Sequence, residues 1–119
     1  MKKRERSLVY RKFQKKIKAR CLDCFYYKIP DTAGLGGKRP FDSILIIRAV
    51  PIAIEFKSQG DKTTKYQDVC LGNFALAGGV PMIYEDGEDM DFFIKKILEQ
   101  VNLRIINNSP LFVTDCTRP

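Results

Sequence analysis

Two carboxylates and one ammonium group lie in unusually apolar surroundings in this sequence. Asp42 stands near the beginning of a segment rich in isoleucine, and Glu55 and Lys57 lie in the next such segment, Ile52–Lys57. Successive residues of a β-strand point to opposite faces, so Glu55 and Lys57 are expected to share one face. Charged groups on so apolar a strand cost free energy unless they are paired or bind a ligand. These residues are therefore the first candidates for a functional site.

The pairing of the two strands decides whether Asp42 joins the other two residues. If Arg48–Pro51 is a hairpin loop of four residues, Asp42 lies opposite Lys57 and diagonal to Glu55. Opposite and diagonal neighbours share a face, so the three side chains are expected to form one polar group on an otherwise aliphatic sheet. The alternative is a buried ion network that only fixes the register of the strands.

The chain contains no histidine. This excludes Ser-His-Asp and Cys-His hydrolases, histidine-ligated zinc sites and histidine-based nuclease centres. Two carboxylates without histidine favour a hard cation, and they predict Mg²⁺ or Mn²⁺ bound by Asp42, Glu55 and the backbone carbonyl of Phe56. Such a metal would polarise a phosphodiester and lower the pKa of its bound water. Lys57 would then orient that water, act as its base or stabilise the developing charge.

Seven elements are expected to position these groups, in the order helix, three strands, helix, strand, helix. Their expected bounds are Glu5–Lys18, Phe25–Ile29, Phe41–Ile47, Ile52–Lys57, Thr64–Ala77, Val80–Tyr84 and Asp89–Val101. The two middle strands are apolar on both faces, which implies a layer on each side of the sheet. The sequence thus predicts a single α/β domain over residues 1–119, with a mixed sheet and helices on both faces. The tail, 102–119, is expected to pack on the core or to add an edge strand.

The glutamine of the second helix is a further candidate. Gln67 falls in line with Leu71 and with Phe74 or Ala75, so it is expected to point toward the sheet. A core-facing amide needs a hydrogen-bond partner, and a metal-bound water or the scissile phosphate could be that partner. The alternative is a glutamine that caps backbone groups of its own helix.

Positive charge is concentrated at the start of the chain. Residues 1–20 hold ten Lys or Arg and one acid, Glu5, whereas the remaining chain has eleven bases and thirteen acids. One strongly basic segment on a nearly neutral body is typical of a surface that binds a polyanion such as DNA, here with Arg11 and Lys15 as contacts. The alternative is a lysine-rich helix that is merely solvated.

Other basic residues lie closer to the candidate site. Lys38 and Arg39 shortly precede Asp42 and are expected to touch phosphates that enter the site. Weaker candidates flank it: Lys28, Lys62 and Lys65. For each of them an ordinary surface charge is the alternative.

No apolar segment approaches the roughly 18 residues that cross a bilayer, and no signal-peptide stretch follows the basic start, so we expect a cytosolic protein without membrane contact. Its four cysteines are then expected to be reduced. Cys21-x-x-Cys24 could supply half of a zinc site.

The site residues resemble a known signature. Glu55-Phe56-Lys57, beginning thirteen positions after Asp42, resembles the PD-(D/E)xK nuclease motif, with one residue inserted between Pro40 and Asp42. Gln67 is similar to the extra glutamine of virus-type replication-repair (VRR-NUC) nucleases and related Holliday-junction resolvases. That branch often carries a first-helix glutamate at the active site, and Glu5 matches it by position.

The resemblance covers roughly residues 5–98. It implies a restriction-endonuclease-like core and a metal-dependent endodeoxyribonuclease for branched or structured DNA such as Holliday junctions, in a bacterial or phage-infected host cytosol. The roles that it implies are metal binding by Asp42 and Glu55, service to the nucleophile by Lys57, and assistance by Gln67 and Glu5. Symmetric cutting of two strands calls for two sites, so we expect a homodimer. The alternative is a non-catalytic nucleic-acid-binding domain with the same fold.

Overall fold

The computed structural model describes residues 3–30 and 39–107, with side chains from Leu8 onward. It contains seven elements in the predicted order: α1 (Lys3–Arg20), β1 (Cys24–Lys28), β2 (Ser43–Ile47), β3 (Val50–Lys57), α2 (Lys65–Leu76), β4 (Val80–Glu85) and α3 (Met90–Asn107). The α/β class is therefore confirmed. Within the described ranges, no helix is both long enough and apolar enough to cross a membrane.

The four strands form one mixed sheet in the order β1-β2-β3-β4. β1 with β2 and β2 with β3 run antiparallel, whereas β3 and β4 run parallel. A parallel pair needs a crossover connection, which α2 supplies. The mixed sheet expected from the sequence is confirmed.

Helices cover both faces of the sheet, as predicted. On one face, α1 and α3 pack on the even-numbered residues of β3; the three buried side chains of α1 there are Tyr10, Phe13 and Ile17. They fall three or four positions apart along the helix, so a single stripe reaches the core. On the other face, Leu71 of α2 packs with Phe41 and Ala53. Each large side chain buried in this way contributes about 1.5–3 kcal/mol.

The hairpin between β2 and β3 is tighter than predicted. Its loop is the two residues Arg48 and Ala49, whose φ angles are 48° and 66°, and Ile47 pairs with Val50. The expected four-residue loop Arg48–Pro51 is therefore wrong. Positive φ at both loop residues gives the turn a twist that matches the strands.

Pro51 explains why the sequence predicts too long a loop. It lies within β3, where it pairs with Ile46, and the pairing of β3 with β4 starts only at Ile52. The closing pair of a two-residue hairpin is hydrogen-bonded, so the next pair, Ile46 with Pro51, needs no N–H from the proline. Pro51 thus costs the ladder no hydrogen bond on either side.

The shorter loop moves the partner of Asp42 by two positions. Ser43 pairs with Ile54, and the Asp42 backbone N–H donates to the Ile54 carbonyl at 3.1 Å. Asp42 therefore lies beside Glu55 rather than opposite Lys57. A shift of two residues keeps every side chain on its face, so the predicted grouping survives the error in register.

The third helix continues beyond its predicted end. Residues 102–107, expected in the tail, form the last turns of α3. Arg104 anchors them, because its guanidinium donates to the carbonyls of Gly78 and Gly79 just after α2. Residues 108–119, for which packing on the core or an edge strand is predicted, lie outside the described residues.

Candidate active site

The structure brings four predicted site residues into contact at the end of β3. Asp42 precedes β2, Glu55 and Lys57 close β3, and Gln67 lies in the first turn of α2. Asp42 is 1% and Glu55 3% exposed, so both carboxyl groups are removed from water. We call these four residues the polar cluster.

Glu55, Lys57 and Gln67 form a closed triangle. The Lys57 ammonium lies 3.1 Å from Oε2 of Glu55 and donates to Oε1 of Gln67 at 2.9 Å. The Gln67 amide donates to the same Glu55 oxygen at 2.7 Å. One oxygen of Glu55 therefore receives two donors, and the ammonium group is held between two acceptors. Hydrogen bonds that involve charged groups are roughly twice as strong as neutral ones, so this triangle fixes all three side chains.

Gln67 also serves its own helix. Thr64 is the N-cap of α2: its side chain accepts from the Gln67 backbone N–H at 3.1 Å, and Oε1 of Gln67 accepts from the Thr64 backbone N–H at 3.1 Å. This is a capping box, which satisfies two backbone donors at the start of a helix. The local cap considered for Gln67 is thus present, and the same amide also contacts Glu55 and Lys57.

The Asp42 carboxylate contacts the backbone of Phe56 and the side chain of Arg39. Its Oδ2 accepts from the backbone N–H of Phe56 at 2.7 Å, and its Oδ1 lies 2.8 Å from the Arg39 guanidinium. Arg39 also donates to the Ile29 carbonyl. In an extended strand the N–H and C=O of one residue point to the same edge, so the Phe56 carbonyl faces the side on which Asp42 lies.

The fold strongly perturbs the ionisation of Glu55. Burial, followed by the charge of nearby Asp42, raises the pKa of Glu55 to about 7, and Lys57 opposes this rise. The second carboxylate oxygen, Oε1, is buried and accepts no hydrogen bond from any described residue. A buried acceptor without a donor costs free energy comparable to a lost hydrogen bond.

The donor groups fit a hard cation held partly by water. Asp42, Glu55 and the Phe56 carbonyl supply oxygen only, and the unpartnered Oε1 of Glu55 is an available ligand atom. Mg²⁺ commonly binds through one or two carboxylates and keeps several waters. Among the described residues no group of three or more His, Cys, Asp or Glu forms a metal-binding set. A cation here would thus rely on two carboxylates and would compete with Arg39 for Oδ1 of Asp42.

The basic residues proposed for phosphate contacts do not all lie beside the polar cluster. Lys62 and Lys65 are exposed near the start of α2, on the side of the polar cluster. Arg39 does not point freely to solvent but pairs with Asp42. Lys28 does not flank the cluster: it lies on the opposite face of the sheet, where its ammonium sits over the Tyr10 ring.

Two predicted residues cannot be placed at the site. Glu5 lies on α1, but its side chain is outside the described residues, as is Lys38. Arg11 and Lys15 are exposed on α1, as expected for a basic surface.

Sequence reasoning missed two partners of the site. It assigned Arg39 to phosphates, whereas Arg39 pairs with Asp42; the spacing of three residues predicts such a pair only on a helix, and this segment is not helical. It offered Thr63 or Thr64 as the N-cap of the second helix but did not connect Thr64 with Gln67, although the pattern Thr64-x-x-Gln67 is that of a capping box and predicts where the glutamine side chain turns.

The three cysteines that the structure describes form no comparable site, and Cys116 lies outside the described residues. Cys21 donates to Asp23 at 3.2 Å, and burial raises the pKa values of Cys21 and Cys24. Within the described part of the chain, no further ligand completes a zinc set with them, and Cys21, Cys24 and Cys70 are free thiols.

No protein-family model, curated protein or solved structure matches this chain.

Proposed function

We propose that this protein is a metal-dependent endodeoxyribonuclease with a restriction-endonuclease-like core of the PD-(D/E)xK type. The observation that carries the proposal is the pair of buried carboxyl groups, Asp42 and Glu55, at the end of β3, where Glu55 contacts the half-buried Lys57 and Gln67. Two buried carboxylates beside an ammonium group are costly to a fold unless they serve a ligand or a network. Such a group is compatible with several ligands and reactions. Among them, the resemblance of its sequence spacing to the PD-(D/E)xK motif favours a nuclease.

Asp42, Glu55 and the Phe56 carbonyl would hold Mg²⁺ or Mn²⁺. The ion, when bound, would polarise the phosphodiester and lower the pKa of its water. Glu55 must lose its proton to serve as a ligand, and its pKa of about 7 makes this step sensitive to pH near neutrality. Lys57, held between Glu55 and Gln67, orients the nucleophile or stabilises negative charge that develops on the phosphate.

The substrate that we propose is branched or structured DNA such as a Holliday junction, cut in the cytosol. The basic surface of α1 supports a polyanionic substrate, because a protein gains much of its DNA affinity by neutralising phosphates. A symmetric cut calls for two copies of the site, so we propose a homodimer. Glu5 is proposed to assist from α1, in accordance with the family pattern.

One observation favours a second candidate, a DNA-binding domain without catalysis. Both carboxylates already have a basic partner, since Arg39 pairs with Asp42 and Lys57 pairs with Glu55. Such a balanced network could fix the strand register without a metal. In that case the polar cluster is structural and only the basic surface of α1 acts on DNA.

A cleavage assay separates the two candidates. Junction and linear DNA are incubated with the protein in Mg²⁺, Mn²⁺ or EDTA. We expect metal-dependent cutting that Glu55→Ala reduces about a hundredfold or more while DNA binding is retained. The matched control is Glu99→Ala, which removes an exposed carboxylate of α3. Binding without cutting supports the second candidate, and undiminished cutting by Glu55→Ala overturns the assignment of the site.

A further inference from the structure

A second basic feature lies on the face of the sheet opposite the polar cluster. A cavity of about 230 Å³ opens between α1 and β1, and we call it the Tyr10 pocket. It is lined by Tyr10, Arg11, Gln14, Tyr26 and Lys28. A water molecule in liquid occupies about 30 Å³, so the pocket has room for a phosphate group with several waters.

The pocket lies at the same end of the sheet as the polar cluster but opens on the other face. Lys28 pairs with Ser43, and the next residue, Ile29, donates its N–H to the Asp42 carbonyl at 2.8 Å. The Tyr10 ring lies 5.0 Å from the Phe56 ring, which is adjacent in sequence to Glu55. The residues of the two features therefore alternate along the same strands, on opposite faces of the sheet.

Within the described residues, no carboxylate neutralises the cations of the pocket. Four other Lys or Arg residues of the described chain lie within 3.5 Å of a carboxylate oxygen, whereas neither Lys28 nor Arg11 pairs with a carboxylate in the residues described. The Lys28 ammonium instead lies 4.4 Å from the centre of the Tyr10 ring. A cation over an aromatic face is attracted to it, so the ammonium is held in place without losing its charge to an acid.

One neutral group of the pocket can add a hydrogen bond to an anion, because Gln14 offers a side-chain amide. The Tyr26 hydroxyl is itself buried, and burial raises its pKa to about 12, so Tyr26 lines the pocket without offering its hydroxyl to the cavity.

We propose that the Tyr10 pocket binds a phosphate of the DNA strand, one that flanks the phosphodiester at the polar cluster. Lys28 and Arg11 supply the positive charge, and Gln14 supplies a hydrogen-bond donor. This proposal has two parts. The position of the bound phosphate next to a scissile one rests on the proposed function, whereas the binding of a DNA phosphate in the pocket does not depend on it.

The first test measures DNA binding in EDTA, where no metal-dependent cutting occurs. A short duplex of fixed sequence is titrated with wild-type protein, Lys28→Gln, Arg11→Gln and the control Lys95→Gln, which removes an exposed charge of α3. We expect the plot of log K against log salt to lose about one unit of slope in Lys28→Gln and in Arg11→Gln. Lys95→Gln should keep the wild-type slope. Equal slopes in all four proteins, or an equal loss in the control, overturn the proposal.

A second test uses the DNA instead of the protein. A neutral methylphosphonate is placed at successive positions of one strand, and binding by wild type and Lys28→Gln is compared. At one position the substitution should weaken wild-type binding and leave Lys28→Gln binding unchanged, because the two changes remove the same contact. Additive losses at every position contradict the proposal.

The two tests also separate this proposal from the proposed function. If no DNA is cut but the slope and methylphosphonate results are as expected, the pocket proposal stands and the nuclease fails. If Glu55→Ala abolishes cutting while Lys28→Gln binds DNA as Lys95→Gln does, the pocket proposal alone fails. Binding of inorganic phosphate that Lys28→Gln abolishes, together with unchanged DNA slopes, would assign the pocket to a free anion and overturn its role in DNA binding.

Discussion

Glu55 makes the stability of this protein depend on pH in the direction opposite to that of most carboxylates. Burial and the charge of Asp42 raise its pKa from 4.5 to about 7. The folded protein therefore binds this proton more tightly than the unfolded chain does. The resulting stabilisation is complete below about pH 4.5 and is lost as the pH rises to about 7. Since one pKa unit corresponds to about 1.4 kcal/mol, the loss amounts to about 3 kcal/mol.

The substitution Glu55→Gln tests this value, because glutamine has nearly the same shape and does not ionise. Urea unfolding in EDTA should show that the wild type loses about 3 kcal/mol more stability between pH 4.5 and about 7 than Glu55→Gln does. The comparison concerns the pH slopes and not the absolute stabilities, since Glu55→Gln also removes the acid partner of Lys57.

An exposed carboxylate provides the control for this experiment. Glu99→Gln, on the solvent side of α3, should keep the wild-type dependence on pH. If wild type and Glu55→Gln show the same pH slope, Glu55 has the same pKa in the folded and unfolded states. The polar cluster would then be open to water, and the reasoning from burial would be refuted.

Three further substitutions test separate contacts. Gln67→Ala removes half of the capping box and the amide that binds Glu55, so urea unfolding should show a loss of about 1–2 kcal/mol, against no more than about 0.5 for the exposed Gln100→Ala. Arg39→Gln frees Oδ1 of Asp42, so calorimetry should show Mn²⁺ binding about tenfold tighter; unchanged or weaker binding contradicts this competition. Gly79→Ala would bring its Cβ into collision with the Phe74 ring, and thermal unfolding should show a destabilisation of about 1–3 kcal/mol; a wild-type midpoint would mean that the ring moves freely.

Much of the fold follows from hydrophobic spacing, because its signals are local. The stripe of Tyr10, Phe13 and Ile17 predicts a helix with one buried face, and the apolar runs around Leu45 and Ile54 predict central strands. The shared face of Glu55 and Lys57 needs only the two-residue period of a strand, so it could be predicted without knowing the register.

Most of the errors come from contacts between residues that are distant in sequence. Pro51 suggested a longer loop, and only the absence of a β4 partner at that position explains why a strand accepts it. The continuation of α3 to Asn107 depends on the contact of Arg104 with Gly78 and Gly79, which are far away in sequence. Charge type alone could not show that Arg39 turns inward to Asp42.

The tight turn of Arg48 and Ala49 determines on which face of the sheet Asp42 lies, although Asp42 is at the opposite end of the hairpin. Both turn residues have a left-handed backbone, which costs about 1 kcal/mol or more for each non-glycine residue. The short connection therefore lowers the stability of the fold. One additional residue in the turn would shift the pairing of β2 with β3 by one position and place the Asp42 side chain on the other face of the sheet. The two carboxylates would then be separated with neither of them replaced. The left-handed turn at one end of the hairpin therefore determines whether the two carboxylates lie together at the other end.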